Sequence, residues 1–223
     1  MEPVDIIIPS KGDPHAMVCL ASLKHIPFTY NLFFITKGAG WPEAVNIGFR
    51  ESKRDVLLMD DDVTILPETF NGFERFLPYA DIFGFRLLYS DLKVQHGGSY
   101  ISNLGIRHRS ELLGEDTSYP AYMCHVTTSL CYIKRRVIDK VQIDESFKGY
   151  QFEDVDFSFR IIDAGFKILY TPCTAMHYET VTKRKFSDYS EKMKLNEQEL
   201  RRRYDFGKYV GIQPFQFPKD TSA

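Results

Sequence analysis

Apolar residues in this chain gather in short dense runs. Between the runs they thin to a spacing of three or four positions. Residues 4–9, 32–36 and 56–59 read as buried strands, and 14–25 (apolar at Met17, Val18, Leu20, Ala21 and Leu23) and 42–52 read as helices between them. Residues 67–77 read as a further helix, opened by Pro67 and Glu68. This strand–helix alternation predicts a mostly parallel sheet with helices on both faces. From residue 82 the pattern shifts to longer β-type runs, 82–89 and 121–133. A Gly-rich polar loop over 95–116 separates them, long enough to have a function of its own. A helix is expected over 150–164, ended by Gly165, then a strand over 166–170 and a helical tail over 186–204.

The densest chemistry follows the run Val56-Leu57-Leu58-Met59, which ends abruptly in Asp60-Asp61-Asp62. Clustered carboxylates repel one another and are costly to ionise together without a cation. Alternation along extended chain lets Asp60 and Asp62 share a face while Asp61 turns away. Oxygen ligands so placed suit Mg²⁺ or Mn²⁺, and open α/β sheets gather ligands at strand carboxyl ends. An acidic turn capping the next helix explains the same residues, so both readings stand at this point.

A second acidic cluster, Glu153-Asp154-Val155-Asp156, opens the helix at 150–164. Acids in a first turn suit the helix dipole. Aromatic neighbours Tyr150 and Phe152 can also desolvate a carboxylate and raise its pKa toward general-base values. Arg160 stands four residues after Asp156, which marks Asp156 as a structural ion-pair partner and leaves Asp154 for chemistry. His177 lies just past the strand at 166–170. It reads either as a satisfied polar residue or, if that strand neighbours the Asp60 strand, as a third metal ligand.

Composition narrows the class. The chain has 223 residues, 43% hydrophobic, with a net charge of −2, enough for one globular domain and no general attraction to nucleic acid. Cys19, Cys124, Cys131 and Cys173 form no CxxC pair and read as buried thiols of a reducing, cytoplasmic compartment. No leader pattern precedes the first strand and no apolar stretch reaches membrane-spanning length.

Taken in order, these segments resemble the family 2 glycosyltransferases, and most closely the bacterial rhamnosyltransferase-like members that build surface glycans. The match runs through Val4–Ser10 with Cys19–Leu23, Trp41–Gly48, the triple acid as a DxD motif, Leu87–Asp91 with Val94–Gly98, and Ile143–Phe147. It continues through Glu153–Asp156, Gly165-Phe166 and Tyr170-Thr171-Pro172 to the histidine. The resemblance implies a GT-A fold: α/β, Rossmann-like, with a small additional antiparallel β element. It implies one domain, 1–223, with a nucleotide-sugar half (1–95), an acceptor and catalytic half (96–185) and a C-terminal helical tail (186–223).

It further implies a metal-dependent, inverting, hexosyltransferase-like enzyme using a UDP-, GDP- or dTDP-sugar. Asp60, Asp62 and His177 would hold Mn²⁺ or Mg²⁺, Asp154 would be the general base, and Glu153 would shape the acceptor side. Pro9, Ser10, Asn46, Asp60, Asp61 and His96 would face the donor, and Lys37, read from its own chemistry, is placed with them. The acceptor would be a hydroxyl of a glycan, a lipid-linked saccharide or another molecule. One departure is plain: the acidic turn usual after the second strand is replaced by Thr36-Lys37-Gly38-Ala39-Gly40. Lys37 suits a phosphate or an acidic sugar, and a plain glycine turn explains it equally.

Arg107-His108-Arg109 in the central loop reads as a lid over a diphosphate or as a polar surface. The basic tail (Lys183, Arg184, Lys185, Lys192, Lys194, Arg201, Arg202, Arg203) reads as a solvated helix with pairs such as Glu197–Arg201. Other readings are a weak peripheral membrane contact at the inner face, a diphosphate contact through Lys183 or Arg184, and a nucleic-acid contact. Two other classes remain open: a catalytically silent domain of this fold that binds a nucleotide or glycan, and a metal-dependent nuclease or phosphatase.

Overall fold

A computed structural model describes residues 1–12, 14–38, 40–102, 105–109, 114–147, 152–178, 189–209 and 212–218. The first half forms β1 (Val4–Pro9), α1 (Ala16–Ser22), β2 (Tyr30–Ile35), α2 (Trp41–Glu51) and β3 (Val56–Met59). β2 and β3 both run parallel to β1, with Ile6 level with Leu32 on one side and Leu57 on the other. The expected alternation is therefore present. Successive β3 side chains enter opposite layers, Leu57 and Met59 into one apolar cluster and Val56 and Leu58 into the other. Packing on both faces is why this strand reads as an unbroken apolar run. α2 approaches β1 so closely that a Cβ on Gly48 would meet Ile7 Cγ2 at 2.5 Å.

Among the described residues the main sheet runs β12-β9-β11-β5-β10-β3-β1-β2. The added members are β5 (Ile82–Leu88), β9 (Ala121–Tyr122), β10 (Leu130–Ile133), β11 (Ile168–His177) and β12 (Gln213–Pro214). β10 inserts antiparallel between β3 and β5, whereas β11 is parallel to β5. Two short strands leave this path: β4 (Val63–Thr64) pairs with β11, and β6 (Val94–His96) pairs with β5. A separate antiparallel hairpin joins β7 (Ser99–Ser102) to β8 (Gly105–His108), the small additional β element. Two more α-helices bear on the site: α3 (Arg135–Ile138) follows β10, and α4 (Glu153–Asp163) presents the second acidic cluster. α5 (Tyr189–Arg203) packs its end against α4, where Tyr204 O–H and Arg203 both reach Asp156.

Several expectations need correction. Residues 67–77 contain no α-helix; turns lead to a 3₁₀ helix over Phe73–Tyr79. Phe70, Phe73 and Phe76 recur every third residue, which suits that tighter winding, and all three are buried. The run 121–133 is two strands in different parts of the sheet, with 123–129 crossing between them. The loop over 95–116 carries the β7–β8 hairpin. Finally, β11 continues through Pro172 as far as His177, with a register shift between Tyr170 and Thr174 that accommodates the proline.

Candidate metal and catalytic site

Asp60 follows directly on β3, and its N–H donates to Ser129 C=O at 2.8 Å, just before β10. The chain then turns, with Val63 N–H donating back to Asp60 C=O at 3.2 Å, and enters β4. β4 lies antiparallel to the end of β11, placing Val63 opposite His177. Tyr178 N–H donates to Asp62 C=O at 3.1 Å. His177 therefore reaches the acids through β4, since β5 and β10 stand between β11 and β3. Neighbouring strands, the condition expected from sequence, are not what joins them.

Ligand atoms of Asp60, Asp62 and His177 all lie within 4.8 Å of one another. His177 Nε2 is 3.1 Å from Asp62 Oδ1, and its Nδ1 is 2.7 Å from Gln95 Oε1 on β6. A neutral His177 donating Nδ1–H to Gln95 turns its Nε2 lone pair toward the carboxylates. Trp41 Nε1–H donates to Asp60 Oδ1 at 2.7 Å. Burial raises the Asp60 carboxyl to about 6, and the facing Asp62 adds to the rise. Two carboxylates and an imidazole lone pair thus converge where charge is uncompensated, a donor set suited to a hard divalent cation.

Asp61 is separate from this cluster: Ser10 Oγ–H donates to its Oδ2 at 2.5 Å, tying the end of β1 to the acidic turn. Pro9 ends β1 just before it, and Lys37 is exposed beyond β2. Asn46 does not open toward this region. It is buried in α2, donates to Ile143 C=O at 2.9 Å and to Glu145 Oε1 at 2.8 Å, and accepts from Ile143 N–H. Its visible work is to bolt α2 to the segment before α4. Arg109 is likewise no surface lid residue. It is 1% exposed, donates Nε–H to Asp116 C=O at 3.0 Å, and stacks on Tyr119.

The second acidic cluster divides. Asp156 is fully buried and accepts from Arg160 and Tyr204, both at 2.7 Å, as its spacing from Arg160 led one to expect. Burial lifts the Glu153 carboxyl to about 8, with Asp154 and Asp60 adding repulsion. The expected rise does not extend to Asp154. Burial pulls its carboxyl upward, but His125 facing it and His108 beyond outweigh that and hold it below the usual carboxylate range. His125 Nε2 lies 3.0 Å from Asp154 Oδ2. Adjacent carboxyls pushed apart in this way take different protonation states near neutrality.

His96 is 3% exposed and packs against buried His125 and exposed His108 in an imidazole cluster. Sequence reasoning missed Trp41 and Gln95 as supports and His125 altogether. Trp41 and Gln95 were visible only as members of family-like segments, and nothing near His125 in the chain marks its contact with Asp154. Lys183, Arg184 and Lys185 lie outside the described residues. Arg201 pairs with Glu197 at 2.8 Å, the expected helical pair, and all four cysteines are buried free thiols. Among the described residues no helix is long and apolar enough to cross a membrane.

The family model for glycosyl transferase family group 2 matches residues 56–217, from β3 through β12. The chain belongs to this glycosyltransferase family. Among solved structures, Staphylococcus aureus TarS is similar over 90% of this chain and 65% of its own, at 13% identity and TM-score 0.56. GalNAc-T7, solved with UDP, GalNAc and Mn²⁺, is similar over 79% of this chain and 44% of its own, at 13% identity and TM-score 0.55. A197 from STIV covers 81% of this chain and 87% of its own, at 14% identity and TM-score 0.51. These likenesses establish a GT-A glycosyltransferase fold. The uncharacterized protein y4gI of Sinorhizobium fredii is 26% identical over an alignment of 163 residues and covers 66% of this chain. That match spans only 18% of y4gI's length.

Proposed function

We propose that this glycosyltransferase-family chain moves a sugar, a hexose or deoxyhexose, from a nucleoside-diphosphate donor to an acceptor hydroxyl with inversion at the anomeric carbon. The observation that carries the reading is the convergence of Asp60, Asp62 and His177 within 4.8 Å at the end of the central strand. Those three residues would hold Mn²⁺ or Mg²⁺, which when bound offsets the negative charge that develops on a departing diphosphate. Ser10, Asp61 and Lys37 border the same sheet end and would meet the nucleotide. GalNAc-T7, solved with UDP and Mn²⁺, supports a nucleotide-sugar donor by analogy of fold.

Asp154 is the general base in this proposal. Its carboxyl is held ionised, so it can accept the acceptor hydroxyl's proton as that oxygen bonds to the anomeric carbon and turns acidic. Glu153, raised to about 8, is largely protonated at neutral pH and serves as a hydrogen-bond donor on the acceptor side. Residues 1–95 would form the donor half, 96–185 the acceptor half and 186–223 a tail that contacts either the domain or a cytoplasmic membrane face.

A second reading, a silent domain that binds a nucleotide or glycan, draws on the exposed Lys37 turn in place of an acid. The two separate on turnover. With a panel of UDP-, GDP- and dTDP-sugars, Mn²⁺ and mixed acceptors or water, the enzyme reading expects sugar release that falls 10²–10⁴-fold in Asp154→Asn. At saturating Mn²⁺ its rate should be flat through about pH 7–8, because Asp154, held below the usual carboxylate range, is already ionised there. A rate that instead climbs to half its maximum near pH 8 would assign the base to Glu153. Equal slow release by wild type and Asp154→Asn would favour the silent reading.

A further inference from the structure

Behind Asp154 the fold gathers an imidazole cluster, with His96 and His125 buried and His108 at its exposed edge, that the proposed reaction does not yet use. His125 is 1% exposed and sits on the crossing between β9 and β10, bridged to Ser99 at the start of β7. Its ring centroid stands 6.0 Å from that of His96 on β6 and 6.3 Å from that of His108 on β8, both near perpendicular. Three separate strands or crossings thus converge behind one carboxylate. Polar groups this deep are costly unless each has a defined partner.

The hydrogen bonds fix an order among these rings. Thr127 N–H donates to His96 Nε2 at 3.2 Å, which makes that nitrogen an acceptor. A neutral His96 then carries its proton on Nδ1, which is 3.0 Å from His108 Nδ1. His108 Nδ1 is in turn an acceptor, with Ser99 Oγ also 3.2 Å away. Burial and the neighbouring imidazoles hold His96 well below its usual pKa, so it remains neutral. His125 is the ring whose Nε2 points out of the cluster, toward Asp154 Oδ2. Neither of its ring nitrogens makes a well-formed hydrogen bond. The 3.0 Å approach of Nε2 to Asp154 Oδ2 is therefore a close electrostatic contact rather than an aligned hydrogen bond, and it faces the ring toward that carboxylate.

We propose that His125 is a positioning residue for Asp154, holding Oδ2 from behind while His96 and His108 hold the His125 ring in place. The inference rests on Asp154 being the base, as argued above. Asp154 Oδ1 is engaged by Val155 N–H at 2.9 Å, so both oxygens are oriented before an acceptor arrives. In the transfer, the acceptor O–H bond breaks, its electron pair forms the new bond to the anomeric carbon, and the proton passes to the Asp154 carboxylate. The sugar–phosphate bonding pair leaves with the nucleoside diphosphate. Facing Asp154 are His125 from the β9–β10 crossing, His108 from β8, Cys131 from β10 and Glu153 on its own helix. The histidines favour the ionised carboxylate and Glu153 opposes it when charged. Removing His125 takes away the nearest favourable partner.

The test follows the Asp154 carboxyl carbon by ¹³C NMR through a pH titration, assigned with Asp154→Asn, in wild type and His125→Gln. The wild-type midpoint is expected below the ordinary aspartate range, and His125→Gln should raise it by about one pH unit. At saturating Mn²⁺, the acid limb of kcat should move up with it, a fall of about fivefold in rate at the old midpoint, with donor KM unchanged. A merely structural role for His125 would leave both midpoints where they are, and that result overturns the inference. If His125→Gln does not fold, a wild-type midpoint at or above the ordinary range overturns it equally. Undiminished turnover in Asp154→Asn would overturn the base assignment itself. An inactive Asp154→Asn with unmoved midpoints would overturn only the role of His125.

Discussion

Trp41 donates its indole N–H to Asp60 Oδ1 at 2.7 Å, so the first residue of α2 sets the direction of the first clustered carboxylate. On the far side of the cluster Gln95 Oε1 does the same for His177 at 2.7 Å. Each proposed ligand at the edge of the site thus has a partner that fixes its orientation. Supports of this kind usually matter about 10- to 100-fold to cation affinity. Trp41→Phe and Gln95→Leu should each weaken Mn²⁺ binding by about tenfold, measured by calorimetry or by electron paramagnetic resonance of free Mn²⁺. Unchanged affinity in both variants would mean that the cation is held elsewhere.

A second expectation concerns pH. Asp60 is raised from 3.8 to about 6 and Glu153 from 4.5 to about 8. Between each pair of values the folded protein binds more protons than the unfolded chain. Asp60 and Glu153 should therefore each contribute stability to the metal-free protein that is lost as pH rises through about 4 to 8, on the order of 2 kcal/mol for Asp60 alone. His96, held neutral, contributes the opposite slope up to about pH 6.5. The difference between wild type and Asp60→Asn isolates the Asp60 part. Mn²⁺ competes with the proton at Asp60 and should restore stability most at pH 7–8, and hardly at all near pH 5. Thermal melts with and without Mn²⁺ across that range read this directly. A melting-temperature difference between wild type and Asp60→Asn that does not change between about pH 4 and 8 without metal would count against the raised Asp60 carboxyl.

Asn46 and Gly48 invite a stability test. Asn46 satisfies both the N–H and the C=O of Ile143, and truncation leaves buried polar groups without partners. Asn46→Ala should cost about 1–3 kcal/mol. Gly48→Ala should cost a similar ~1–3 kcal/mol, because its new methyl meets the Ile7 side chain in a packed layer. Urea denaturation measures both. If Asn46→Ala leaves stability intact but abolishes nucleotide binding, Asn46 belongs to the donor pocket after all.

Much of the frame was legible because its physics is local. β3 announced itself as a continuous apolar run since it is packed on both faces, and its termination in Asp60 marked the sheet end. Asp156 was legible from its spacing to Arg160. What stayed hidden depends on contacts between distant segments. The 3₁₀ winding at Phe73–Tyr79 is dictated by three phenylalanines packing into the cluster under the sheet, and Pro78 denies that stretch a regular helix. His177 joins Asp62 through β4, a strand too short to show a period. The division between Glu153 and Asp154 is set by His125, which arrives from a crossing that reads as plain β-strand in the sequence.

The most direct test is a calorimetric titration of UDP, GDP and dTDP, each with and without Mn²⁺, into the wild-type protein and into Asp62→Ala and His177→Ala. At least one nucleoside diphosphate should bind the wild type in the presence of Mn²⁺, lose most of that affinity when Mn²⁺ is withheld, and fail to bind either variant with metal. Contradiction would come from no binding of any of the three with Mn²⁺. Equal binding with and without metal that survives both substitutions would contradict the account as well.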